Sequence, residues 1–213
     1  MGAYMIKSIS YDQGEIIKNI LQLYTKDGVI DCDATYSKGN FYKNTEIEKP
    51  KYCFDIKPQF DWVERADCRK LPFNDSEISS IIFDPPFLAT KGESLSTKKG
   101  NLMVRRFGYY PNENELHKMF FESMKEFYRV LSNEGILIFK CQDKVSSSMQ
   151  YFSHIYIYNK AVELGFYPLD LFVLLSKNRV TAKWQAENQK HARKYHSYFW
   201  VFQKSKKKVK YAI

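Results

Sequence analysis

Ser79-Ser80-Ile81-Ile82-Phe83-Asp84-Pro85-Pro86-Phe87 is a short apolar run that stops abruptly at an acid, two prolines and a ring. An apolar run this short, bounded by turn residues, reads as a strand covered on both faces, as in the parallel sheets of α/β proteins. Tyr52 to Ile56 is a second run of the same kind. Glu113 to Leu131 places apolar side chains at 116, 119, 120, 124, 127, 128 and 131, which predicts an amphipathic helix. Asn133-Glu134-Gly135 closes that helix, and GILIF at 135 to 139 follows as a strand. Towards the N-terminus, Glu15 to Tyr24 carries Ile16, Ile17, Ile20, Leu21 and Leu23 at helical spacing, and Asp27-Gly28 ends it before the short run Val29-Ile30. Ile155 to Leu164 is a further helix, stopped at Gly165, and Leu169 to Leu175 and Tyr198 to Phe202 read as two more strands. Strands alternating with helices imply a doubly wound, mostly parallel α/β sheet, whose ligands bind beyond the carboxyl ends of the strands. Chemistry is therefore expected just after strands.

Four strand ends carry acidic or small residues. The first is Asp31-Cys32-Asp33, followed by the turn Ala34 to Asn40, where Gly39 offers either a close backbone approach to a ligand or simply a turn. The second is Asp55, 22 residues beyond Asp33. That is close to the roughly 20-residue interval at which an acid meets ribose hydroxyls, although a helix cap would look the same. The third is Ala66-Asp67-Cys68, whose carboxylate could accept from an exocyclic amine or sit in a solvated turn. The fourth is Asp84-Pro85-Pro86-Phe87. Two prolines fix φ and remove two donors, leaving a rigid, acceptor-only surface beside an aromatic ring. Such a surface suits a base amine, whose lone pair is delocalised until acceptors hold its hydrogens. A ring at Phe87 could stack on that base for about 1–3 kcal/mol.

The composition fits a polyanionic partner. Thirty-three Lys+Arg against 24 Asp+Glu give a formal charge of +9, and the isoelectric point is near 9.2. The charge is concentrated in Lys91 to Arg106, which holds Lys91, Lys98, Lys99, Arg105 and Arg106 against Glu93, in Lys177 to Lys194, and in the tail Lys204 to Lys210. The longest apolar runs fall far short of the roughly 18 residues of a membrane helix. The N-terminus lacks the apolar stretch of a secretory signal, so a reducing cytoplasm is expected. Cys32, Cys53, Cys68 and Cys141 form no C-x-x-C pair, which argues against a zinc site and a disulfide scaffold. His191 and His196 have no third metal ligand in sight, so no metal is expected.

Taken together, the strand-end residues resemble the amino-group nucleic-acid methyltransferases, class I S-adenosylmethionine enzymes with a [D/N/S]-P-P-[Y/F/W] motif, here Asp84 to Phe87. The likeness extends from about Ile30 to Lys204. The turn DATYSKGNFY at 33 to 42 is similar to the cofactor loop D-x-T-x-G-K-G-x-F-W of phage and prophage DNA adenine methylases, with Ser37 at the usual first glycine and Tyr42 in place of tryptophan. RVLSNEGILIFKCQD at 129 to 143 is similar to the helix, turn and strand that follow in the family, and KYHSYFWVFQK at 194 to 204 to its last strand.

The resemblance implies a Rossmann-like class I methyltransferase with a seven-stranded, mostly parallel sheet and one antiparallel strand. It implies one catalytic domain over 1–204, with a substrate loop at 88–112, a basic insertion at 176–196 and a basic tail at 205–213. Asp33 and Gly39 would border the methionine part of S-adenosyl-L-methionine, with Thr35 and Phe41 in the same loop. Asp55 would hold the ribose, and Asp67 with Cys68 the cofactor's adenine. Asp84, Pro85, Pro86 and Phe87 would take the target, N6 of an adenine flipped out of DNA. Lys98, Lys99, Arg105, Arg106, Lys177, Arg179 and Lys183 would contact nucleic acid, with Trp184, Arg193 and Lys194 nearby. RNA stands as a second substrate, and a catalytically silent nucleic-acid-binding protein on the same fold as a third reading.

Overall fold

The structure is a computed structural model that describes residues 5–87, 89, 110–146, 148–178, 187 and 189–210. Lys98, Lys99, Arg105, Arg106, Arg179, Lys183 and Trp184 lie outside the described residues.

In chain order, the elements are β1 (Ile9–Ser10), α1 (Gln13–Tyr24), β2 (Cys32–Asp33), β3 (Tyr52–Asp55), β4 (Glu64–Arg65), β5 (Ile78–Phe83), α2 (Glu113–Val130), β6 (Leu131–Cys141), β7 (Lys144–Ser146), β8 (Met149–Tyr151), α3 (Ser153–Leu164), β9 (Phe166–Leu175) and β10 (His196–Lys204). Among the described residues, eight strands form one sheet in the order β1-β9-β10-β6-β5-β2-β3-β4, and β7 with β8 forms a separate antiparallel hairpin. β10 runs antiparallel to both of its neighbours, while the other pairings in the large sheet are parallel. The sheet has eight strands where seven were expected, because the two-residue β1 pairs with the edge of β9 through Ile9↔Val173 and Ser10↔Leu174.

Local chemistry sets the element ends. Asp12 caps α1, its carboxylate accepting from the backbone N–H of Gly14 at 2.7 Å, so the helix begins two residues before the apolar spacing does. Asn112 caps α2 in the same way through the N–H of Glu115 at 2.9 Å. Gly165 ends α3 with φ +101, a left-handed cap. The first central strand lies slightly later than its apolar run: Val29-Ile30 is the expected strand, and pairing begins at Cys32, with Ile30 buried just before it. The helix expected to close at Asn133-Glu134-Gly135 ends earlier, at Val130, and the chain passes straight into β6. Leu131 pairs with Ile78 and Ile136 with Ser80, so the four residues Ser132 to Gly135 form a bulge, with Glu134 in the left-handed region at φ +63.

Apolar layers cover both faces of the sheet. On one, α2 and α3 pack Leu116, Met119, Phe120, Met124, Phe127, Ile157 and Ala161 over Phe83, Leu137, Phe139 and Phe202. On the other, α1 packs Ile16, Ile17, Ile20 and Leu21 with Ile82, Ile138, Phe172, Phe199 and Val201. Alternate residues of β5 and β6 thus serve opposite layers, which is why these strands read as unbroken apolar runs.

Phe139 lies at the centre of the first layer, 0% exposed, with ring centroids 4.9 Å from Phe83 and 5.5 Å from Phe120. Phe139→Ala should lower unfolding free energy by about 3–5 kcal/mol in denaturant titration. A loss below about 1 kcal/mol would mean the layer can collapse around the gap.

Candidate active site

The direction of sheet growth reverses between β2 and β5. From β2 the chain builds outward through β3 and β4, and from β5 outward through β6, so the carboxyl ends of β2 and β5 border a crevice. Cys32 pairs with Ile81 and Asp33 with Ile82, which places the segment after Asp33 beside Asp84. The Asp84 N–H donates to the Thr35 hydroxyl at 2.9 Å, tying the two segments together.

An open cleft lies over this point. Thr35, Asp55, Asp67, Cys68, Asp84 and Pro86 all line it, so six of the residues singled out in the sequence meet on one surface. Its apolar walls are Ala34, Ile56, Ala66, Phe83 and Met119, and Ser37, Arg69 and Tyr110 complete it.

Asp55, at the end of β3, is 8% exposed. Its carboxylate accepts from the backbone N–H of Ser37 at 2.9 Å and of Lys57 at 2.7 Å. Burial pushes its pKa up, and those two donors oppose the shift. Ser37 meets Asp55 with φ +49, in the left-handed region, where a glycine would be unstrained. Asp67 is gripped by Arg69, with Nε 2.9 Å from Oδ1 and Nη2 2.6 Å from Oδ2, and Arg69 holds its pKa below the usual carboxylate range. An amine reaching Asp67 would share lone pairs already given to Arg69. The Cys68 thiol lies 3.2 Å from the Ser123 hydroxyl, and burial pushes it up to about 11.

Asp33, Gly39 and Phe41 are buried and do not line the cleft. Asp33 is 1% exposed and accepts from the Thr35 N–H and the Tyr42 hydroxyl, each at 2.9 Å. Burial is the largest influence on Asp33 and pushes it up to about 7 against those two donors, with Asp84 and Asp55 adding like charge. The tyrosine standing where the resembled loop has tryptophan is thus the donor that satisfies Asp33. Gly39 has φ +64, and a Cβ there would collide with the Tyr36 ring.

The tetrapeptide is held at both ends. The Asp84 carboxylate pairs with the Lys140 ammonium at 3.1 Å. At the other end, the Lys144 ammonium donates to the Phe87 carbonyl and pairs with buried Glu113 at 3.0 Å. Pro85 is buried and Phe87 half-buried. Lys177 is exposed just past β9, its ammonium 5.5 Å from the centre of the Tyr11 ring. His191 contacts the Ser148 carbonyl and His196 the Tyr198 hydroxyl. Lys140, Lys144, Glu113 and Arg69 are site residues that the sequence does not pick out. Lys140 and Lys144 stand four apart just after an apolar run, but nothing in the sequence says what they reach.

A sheet with these crossovers and a ligand cleft at the switch point is that of the class I methyltransferases. A methyltransferase of Methanosarcina mazei, described as S-adenosylmethionine-dependent, superposes with TM-score 0.51 at 11% identity, covering 87% of this chain and 97% of that one. A candidate sarcosine dimethylglycine methyltransferase of Galdieria sulphuraria gives TM-score 0.53 at 14% identity, covering 91% and 85%. A candidate DNA modification methylase of Thermus thermophilus, solved with S-adenosyl-L-methionine, gives TM-score 0.43 at 14% identity over 69% of this chain and 56% of that one. The chain thus spans about half the length of that methylase. No curated protein matches the sequence. Residues 78–213 match a family of DNA methylases of the N6/N4 type, and the chain belongs to that family.

A carboxyl group with a raised native pKa contributes stability that is fully present below its unfolded value, near 4, and is lost as pH rises through its native value. For Asp33 that value is about 7. The unfolding free energy of the wild type should therefore fall relative to Asp33→Asn between about pH 4 and 7. Parallel curves for the two proteins would show that Asp33 does not titrate in this window.

Proposed function

We propose that the chain transfers a methyl group from S-adenosyl-L-methionine to N6 of adenine in DNA, the base being flipped into the cleft beside Asp84 and Phe87. The observation that carries this reading is that one cleft holds Asp55, the last residue of β3, and Asp84, just after β5; Asp55 would hold the ribose and Asp84 accept from the amine. When bound, S-adenosyl-L-methionine supplies an electrophilic methyl group on a sulfonium. The site fits such a ligand: a carboxylate preset by two backbone donors stands beside the apolar cleft walls Ile56 and Ala66.

The chain's own groups then act on the amine. The Asp84 carboxylate and the carbonyl of Pro85, which has no N–H to interfere, accept the two amine hydrogens and turn the nitrogen lone pair outward. The nitrogen that gains a methyl group must shed one proton, and Asp84 lies where that proton can leave. Phe87 would stack on the base, offsetting part of the few kcal/mol lost when it leaves the duplex. Lys177 and the basic stretches flanking it in sequence are suited to phosphate contacts that fix register without reading bases. The aspartate form of the motif and the cofactor loop preceding it favour adenine over cytosine.

Asp84→Ala should lower methyl transfer by about 10²- to 10³-fold or more while calorimetry shows cofactor affinity nearly unchanged. Transfer of labelled methyl groups to matched DNA and RNA oligonucleotides, followed by mass spectrometry of the nucleosides, tests the substrate. N6-methyladenine in DNA is expected, whereas N4-methylcytosine or label confined to RNA would overturn the assignment.

A further inference from the structure

We propose that Lys140 is a positioning residue that fixes which oxygen of Asp84 receives the target amine, an inference that rests on the function proposed above. Lys140 is the penultimate residue of β6, the strand paired with β5, which ends just before Asp84. Its side chain is 14% exposed. The ammonium donates to Asp84 Oδ2 at 3.1 Å and to Gln13 Oε1 at 2.8 Å. It also lies 5.1 Å from the centre of the Phe41 ring and 5.6 Å from that of Phe199. A cation this enclosed is tolerated only if its donors are satisfied. Two go to oxygen acceptors, and the rings favour positive charge at their faces. Lys140 is therefore held from four sides, by β6, by the first residue of α1, by the cofactor loop and by β10.

The consequence falls on Asp84, whose side chain is 30% exposed and lines the cleft. A free carboxylate at a strand end would rotate and offer either oxygen. Here Oδ2 is tied to a cation that is itself immobilised, so Oδ1 is the oxygen left for a ligand. One amine hydrogen then goes to Oδ1, and the other must find a backbone acceptor of the proline pair. A single allowed arrangement is the kind of preorganisation that raises turnover without tightening substrate binding. Lys140 does not line the cleft, so it acts through Asp84 and not on the ligand.

Lys140→Met keeps the length and removes the charge. It should lower kcat on DNA by about tenfold or more, with KM for DNA and the cofactor dissociation constant changing by less than about threefold. Lys140→Arg should recover most of the loss. In an Asp84→Asn background, where no carboxylate remains to be held, adding Lys140→Met should cost less than about twofold further. Should the methionine variant fail to fold, Lys140→Gln, which keeps a donor but no charge, should show the same pattern. Crystal structures give a readout independent of activity: Asp84 should keep one side-chain rotamer in the wild type and occupy more than one in Lys140→Met. An unchanged Asp84 rotamer in that variant, or equal loss of kcat in both backgrounds, would overturn the role of Lys140. A wild-type protein that methylates no nucleic acid would instead remove the proposed function, and the rotamer comparison would still decide the positioning.

Discussion

The hydrogen bond from the Asp84 N–H to the Thr35 hydroxyl joins the two halves of the site, and the parallel pairing of β2 with β5 makes it unavoidable. Two strands in parallel register send their next residues out of the same edge of the sheet. Asp33 ends β2, Asp84 directly follows β5, and β3 delivers Asp55 to the same edge one strand further along. Backbone pairing thereby draws three carboxyl groups together, Asp55 and Asp84 on the cleft wall and Asp33 buried off it. Burial disfavours ionisation of the group with least access to water, and Asp33, the most buried, is pushed up to about 7, with Asp84 and Asp55 adding like charge.

The two-sided core supplies the rigidity this arrangement needs. β5 and β6 alternate between the α1 layer and the α2–α3 layer, so neither strand can slip by one residue without exchanging Phe83 and Phe139 for Ile82 and Ile138 across the sheet. The positions of Asp84 and Lys140 are therefore fixed by the burial of their neighbours. The ion pair between them forms across adjacent strands whose spacing is already set, so little further ordering is needed to hold it.

Much of this was legible in the sequence because it rests on local pattern. The helices over Glu113 to Val130 and Ser153 to Leu164, the strand ending at Phe83 and the rigid tetrapeptide after it all announce themselves through periodicity, glycine and proline. β1, β4 and the β7–β8 hairpin do not, because strands of two or three residues are defined by their partners and carry no period of their own. The bulge at Ser132 to Gly135 has the composition of a turn and is one, yet the sheet continues through it. In the site, residue types at strand ends were readable, but burial and pairing were not. Asp33 looks as exposed in sequence as Asp55, and nothing local connects Lys140 to a carboxylate 56 positions away.

Lys144 also shapes what can change around the cleft. By joining the Phe87 carbonyl to the Glu113 carboxylate, it anchors the chain on either side of the segment from 88 to 112. Ala89 pairs with Tyr110 between those anchors, so the two stems meet close to the sheet. The cost of closing a loop grows only with the logarithm of its length, about 0.6 kcal/mol for each doubling. A segment entered and left through fixed stems can therefore be lengthened, shortened or replaced during evolution with little effect on the acid beside it. The sequence between the stems and the residues at the strand ends can then be inherited separately within one short chain.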